Sequence, residues 1–167
     1  MSNKITPVRV TFQPQDVFWI NTLALRRDES KKQTGNPLTR NPSKLDETKT
    51  SFGVNVLGVM GELAAKRVHG GSIDTGIRRG GDGGVPDLKL DDGRMVEVKS
   101  TPHVKHRQPK LTLNLGEVDK AEHFCLVAVQ LPDIVYVYPI IDRQELESKM
   151  KDHDYGYGNR KVYSYNS

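Results

Sequence analysis

The sequence predicts a mixed α/β domain, with a small mixed central sheet flanked by helices. Two apolar-faced segments near the amino end, a sharply punctuated hairpin in the middle, and a pair of apolar strands running into a capped helix carry that reading. At 167 residues, 35% of them hydrophobic, the chain is long enough to bury one substantial core, so a single domain over residues 1–167 is expected. The net charge of +4 and an isoelectric point near 9.1 lean weakly toward a polyanionic partner.

Pro14 to Lys32 reads as an amino-terminal helix. Pro14 suits the first turn, and Val17, Ile20 and Ala24, flanked by Phe18 and Leu25, make an apolar face with Trp19 at its edge. From Gln33 to Ser51 the chain carries Gly35, Asn36-Pro37 and Asn41-Pro42 among several charges, the signature of a long flexible loop. A second helix is expected from Val54 to Val68, with Val56, Val59, Met60 and Leu63 on one side. Gly58, Glu62 and Ala65 form the adjacent strip. The small residues there allow close approach to a sheet and present the Glu62 carboxylate to it. Taken without the downstream hairpin, Glu62 is an ordinary exposed helical glutamate.

His69 to Gly84 is rich in glycine but matches neither a phosphate-cradling loop nor a dinucleotide fingerprint. It reads as an entry loop whose Arg78 and Arg79 touch phosphate, with Asp82 a turn residue or an extra acid near the site. Beyond the hairpin, Leu111, Leu113 and Leu115 alternate as a strand does, and Gly116 to Ala121 suits a short helical turn. Leu126–Leu131 and Ile134–Ile141 read as strands joined by a Pro132-Asp133 turn. The last helix is capped by Asp142 with Glu145 at the third position, and Ile141 with Leu146 forms a hydrophobic staple. The tyrosines of the tail close over a core edge. Cys125, the sole cysteine, sits in an apolar run as a small hydrophobe. With no signal peptide, lipidation motif or membrane-spanning stretch, a soluble cytoplasmic protein with no membrane partner is expected.

The chemistry concentrates at Asp87-Leu88-Lys89-Leu90-Asp91-Asp92-Gly93-Arg94-Met95-Val96-Glu97-Val98-Lys99. A three-residue loop Asp91-Asp92-Gly93, with Gly93 left-handed, pairs Leu90 with Arg94 and sets Asp87 opposite Glu97. Directly opposed side chains have Cβ atoms roughly 4.5–5.5 Å apart, close enough for two carboxylates to hold one small hard cation. Lys89, Met95 and Lys99 share that face, while Leu88, Val96 and Val98 point into an apolar layer. A two-residue Asp92-Gly93 turn would shift the register by one and part the two acids.

Glu62, Pro86-Asp87 and Glu97-Val98-Lys99 resemble the PD-(D/E)XK nuclease superfamily, in the short single-domain form of Holliday-junction-resolvase-like and phage-type endonucleases. Gly61-Glu62-Leu63-Ala64-Ala65 is similar to the helix carrying the family's first acid, and the likeness runs from Gly58 to Val129. The resemblance implies a restriction-endonuclease-like core and a Mg²⁺-dependent endodeoxyribonuclease, with Mn²⁺ as substitute and no small-molecule cofactor. Asp87, Glu97 and the Val98 carbonyl would hold the ion, and Glu62 would reach it directly or through water. Lys99 would position or help deprotonate the attacking water, or offset charge on the pentacovalent phosphate; whether one or two ions act stays open.

His103, Lys105, His106, Arg107 and Lys110 follow the catalytic strand with no acid among them and would run along the DNA backbone. A zinc pair of His103 and His106 is the weaker reading of the same run. A second basic group, Arg26, Arg27, Lys31, Lys32, Arg40, Lys44 and Lys49, lies in the amino-terminal region, where the 33–51 loop would serve as a recognition or dimerisation arm. A homodimer is expected because two strands must be cut. Two other classes compete: a non-catalytic nucleic-acid-binding or assembly module on the same fold, and a structural α/β protein whose hairpin carries a surface Glu–Lys pair.

Overall fold

The computed structural model describes residues 4–33, 51–73, 87–114, 116–154, 156 and 159–165. The amino-terminal strand β1 (Val8–Thr11) leads into helix α1 (Pro14–Gln33), and α2 (Ser51–His69) follows. Strands β2 (Ser72–Ile73), β3 (Leu88–Lys89), β4 (Met95–Pro102) and β5 (Leu111–Leu113) come next, then a 3₁₀ turn at Val118–Lys120. The chain continues through β6 (His123–Gln130), β7 (Ile134–Val137), β8 (Ile141–Asp142), α3 (Arg143–Lys149), β9 (Lys151–Asp154) and β10 (Asn159–Tyr163).

The main sheet runs β1-β7-β6-β4-β3-β2, with β8 also paired to β6, and a second sheet runs β5-β10-β9. The architecture is therefore mixed α/β, with β4 and β6 parallel and the other described pairings antiparallel. The main sheet is larger than the small one expected. Its extra strand β1 is a short Val-Arg-Val-Thr alternation that pairs Val8 with Val137. The expected single strand from Ile134 to Ile141 is two, β7 and β8, both antiparallel to β6. Pro139 lies between them and has no N–H to donate to a ladder.

β6 is buried on both faces, which makes it the structural centre. Cys125, Val127 and Val129 join one core with Leu88, Val96, Val98 and the inner residues of α1 and α2. Phe124 and Leu126 join a second core with Leu111, Leu113, Leu146, Tyr163 and Tyr165. The sheet thus separates a helical layer from a layer built by α3 and the small sheet. Burial pushes the Cys125 thiol up to about 12, so it remains an inert apolar group.

Local signals formed as their chemistry requires. Asp142 caps α3 by accepting the Glu145 N–H at 2.7 Å. Tyr163 donates to Glu145 Oε1 at 2.8 Å and Tyr165 to the Pro139 carbonyl at 2.9 Å, which closes the edge of the second core. Two expectations fail. On α1 the buried stripe is Ile20, Leu23 and Ala24, whereas Phe18 and Leu25 are 75% and 49% exposed. On α2, Gly58 faces open space. Close approach occurs one turn later at Gly61, where a Cβ would overlap Ser100 Oγ and Val127 Cγ2.

Candidate active site

The hairpin closes with the three-residue loop. Leu90 N–H donates to the Arg94 carbonyl at 2.8 Å and Gly93 N–H to the Leu90 carbonyl at 3.0 Å. Gly93 adopts φ +89°, the left-handed position that favours glycine. Asp92 fastens the turn by accepting the Arg94 N–H at 3.0 Å and its Nε–H at 2.8 Å. The resulting register pairs Leu88 with Val96 and Lys89 with Met95, and one further step sets Asp87 opposite Glu97. Asp87 Oδ2 accepts the Val98 N–H at 2.9 Å, which fixes its carboxylate against β4.

Period-two alternation divides β4 as expected. Val96 and Val98 enter the core beneath the helices, and Glu97 and Lys99 point to the other face. Glu97 is 5% exposed and Glu62 6%, so neither is the surface carboxylate of the bland alternatives. Acidic side chains are seldom buried this deeply without partners. Glu62 has one: Arg27 Nη1 and Nη2 each donate to one of its oxygens at 3.0 Å, a two-point fork from α1 to α2. Lys99 Nζ lies 3.5 Å from Glu97 Oε1 and 2.7 Å from Glu117 Oε1. Glu117 in turn accepts the Asn114 N–H at 2.7 Å through its other oxygen.

Asp87 registers the convergence of these groups. Burial raises its pKa first, the nearby charges of Glu62 and Glu97 raise it further, and the Val98 N–H and Lys99 only partly offset them, leaving it pushed up to about 8. Asp87 therefore lies within electrostatic reach of the other three residues singled out from sequence, Glu62, Glu97 and Lys99. Lys99 behaves oppositely. Burial alone would lower its pKa, but Glu117, then Glu97 and Asp87, outweigh burial and hold the ammonium above its ordinary value. For Glu117, burial would raise the pKa, yet Lys99 and the Asn114 N–H prevail and hold it ionised below the usual range.

Among the described residues, no three His, Cys, Asp or Glu side chains form a ready metal cage. Asp87, Glu97 and Glu62 are instead engaged with Val98 N–H, Lys99 and Arg27. The donors are nonetheless hard oxygens, and Asp87 carries carboxylate repulsion that a cation would relieve, so the set suits Mg²⁺ or Mn²⁺.

Lys105, His106, Arg107 and Lys110 are all exposed on the connection between β4 and β5. That connection is tethered where the His103 N–H donates to the Val129 carbonyl at 2.7 Å and its ring packs 4.6 Å from Tyr136. His106 has φ +63°, which turns the strap sharply. Arg78, Arg79, Asp82, Pro86 and residues 34–50 lie outside the described residues.

Two site residues escaped sequence reasoning. By sequence Arg27 is one of the amino-terminal basic group, although its spacing from Ile20 and Ala24 puts it on the buried stripe of α1. Glu117 had no signal, because only tertiary folding brings it to Lys99, 18 positions away in sequence.

Fold and site together define a mixed α/β protein with an acidic, lysine-bearing hairpin site. No protein-family model and no curated protein matches the chain.

Proposed function

We propose that the chain is a metal-dependent endonuclease that hydrolyses DNA phosphodiester bonds on a restriction-endonuclease-like core of the PD-(D/E)XK type. The observation that carries this reading is the placement of Glu97 and Glu62 around Asp87, with Lys99 beside Glu97; burial first, and then the charges of these two acids, push Asp87 up to about 8. A surface that only bound a polyanion would gain nothing from clustered acids. Mg²⁺ bound there would polarise the phosphoryl oxygen and lower the pKa of a water.

Asp87 and Glu97, with the Val98 carbonyl, would hold the ion, and Glu62 would supply a further oxygen directly or through water. Lys99, held as an ammonium, orients the attacking water and offsets the charge that grows on the phosphate; its raised pKa makes it a poor base. Lys105, His106, Arg107 and Lys110 contact the backbone beside the scissile bond and set affinity without reading sequence. Pairing of two copies would allow both strands to be cut.

The test is nicking of supercoiled plasmid DNA in Mg²⁺ or Mn²⁺ by the parent and by Glu97→Ala. Activity that needs the metal and disappears in the variant supports the reading. DNA binding without metal-dependent nicking would instead favour the non-catalytic module.

A further inference from the structure

We propose that Arg27 is a placeholder for the metal at Glu62 and a phosphate ligand once DNA arrives, so that binding of cation and substrate at this site is coupled. The inference rests on the nuclease reading. It adds a residue on α1 that neither the hairpin nor the family resemblance assigns a role.

The geometry shows what must be exchanged. Arg27 donates to both Glu62 oxygens at 3.0 Å, so a cation approaching the forked face of Glu62 meets a like charge and competes with the guanidinium for the same oxygens. The two partners are not equally enclosed: the Arg27 side chain is 20% exposed and that of Glu62 8%. An incoming ligand therefore meets the arginine before the acid. The fork that fits a carboxylate also fits a phosphate at two points, and arginine keeps its charge throughout, so release occurs by exchange of partners rather than by titration.

Without cation or DNA, Arg27 neutralises a buried acid whose charge already reaches Asp87. A divalent ion entering between Asp87 and Glu97 takes over that neutralising task, and a DNA phosphate gives Arg27 a new partner. Each event favours the other. By linkage, DNA tightens the metal by the same factor as the metal tightens DNA, a coupling typically about 5–150-fold.

The experiment is calorimetric titration of Mn²⁺ into the full chain, alone and with phosphorothioate-backbone DNA, for the parent, Arg27→Ala, Arg27→Lys and Asp87→Asn. Without DNA, Arg27→Ala is expected to bind Mn²⁺ about fivefold or more tighter than the parent, and the gain that DNA confers on the parent is expected to vanish. Arg27→Lys keeps the charge but not the fork, and it is expected to fall between the two; it decides the matter should the alanine variant not fold. Weaker or unchanged Mn²⁺ binding in the Arg27 variants would overturn the proposal and leave Arg27 as a scaffold for Glu62. Failure of the nuclease reading looks different: Mn²⁺ binding absent from the parent, or unaltered in Asp87→Asn, overturns both.

Discussion

Lys99 Nζ lies closer to Glu117 than to Glu97, at 2.7 Å against 3.5 Å, although Glu97 is its neighbour on β4. The ammonium is thus aimed by a residue from a separate segment. Its position depends on that segment remaining docked. If Lys99 acts as a fixed cation, Glu117→Gln should lower cleavage kcat by about tenfold, the usual scale for an outer-shell partner, with KM for DNA unchanged. Steady-state kinetics on a single DNA substrate would show the split; loss of DNA affinity instead would make Glu117 part of the binding surface.

Removal of the cation itself should be more severe. Lys99→Met is expected to reduce cleavage by about 100-fold or more, the scale of losing one transition-state donor. Metal affinity should stay equal or tighten, because Glu97 and Glu117 would lose a competing positive charge. Calorimetry beside single-turnover rates would separate the two effects.

Asp87 makes stability depend on pH. Its pKa is pushed up to about 8 in the folded protein, against an ordinary value of about 3.9 in an unfolded chain. Between those values the folded state holds a proton that the unfolded state has released, so stability falls as pH rises, by at most about 1.4 kcal/mol per pH unit. In EDTA, the melting temperature should therefore drop from pH 5 to pH 8, and Asp87→Asn should flatten the decline. Mg²⁺ should stabilise the parent more at pH 8 than at pH 5. Parallel pH profiles for parent and variant would show that burial and the neighbouring acids do not raise the Asp87 carboxyl as described.

Two glycines of α2 should respond with opposite sign. Gly61→Ala would drive a methyl group into Ser100 and Val127, an overpacking that costs about 1–3 kcal/mol. Gly58→Ala meets nothing within 4 Å and should stabilise by roughly 0.5–1 kcal/mol through helix propensity. Urea denaturation of the two variants measures both.

The exposed strap between β4 and β5 should contribute affinity without specificity. Replacing Lys105, Arg107 and Lys110 together by alanine should weaken binding of unrelated DNA sequences alike and reduce the slope of log K against log salt by about 3. A change confined to one sequence would mean that the strap reads bases.

The hairpin was legible because its determinants are local. Gly93 sets the turn, the turn sets the register, and the register places Asp87 against Glu97. Capping of α3 by Asp142 was legible for the same reason. Features that depend on distant packing were hidden. Glu117 reaches Lys99 only through tertiary packing, and the exposure of Phe18 and Leu25 reflects which stripe of α1 meets α2 and the sheet. The strands β9 and β10 lie in a polar, tyrosine-rich tail with little apolar alternation of its own; β10 pairs with β9 on one side and with the distant β5 on the other. Gly58 and Gly61 are neighbours one turn apart on α2, and only the packing of that turn against Ser100 and Val127 distinguishes them, a distinction that composition does not carry.

The most direct test of the account is cleavage of a labelled panel of linear duplex, single-stranded and four-way-junction DNA, with Mg²⁺, Mn²⁺ or EDTA, by the parent and Glu97→Ala. Products that require the metal, appear with the parent and vanish in the variant are expected, and the panel member cut would identify the substrate class. Cleavage that persists in Glu97→Ala or in EDTA would contradict the assignment of chemistry to this site.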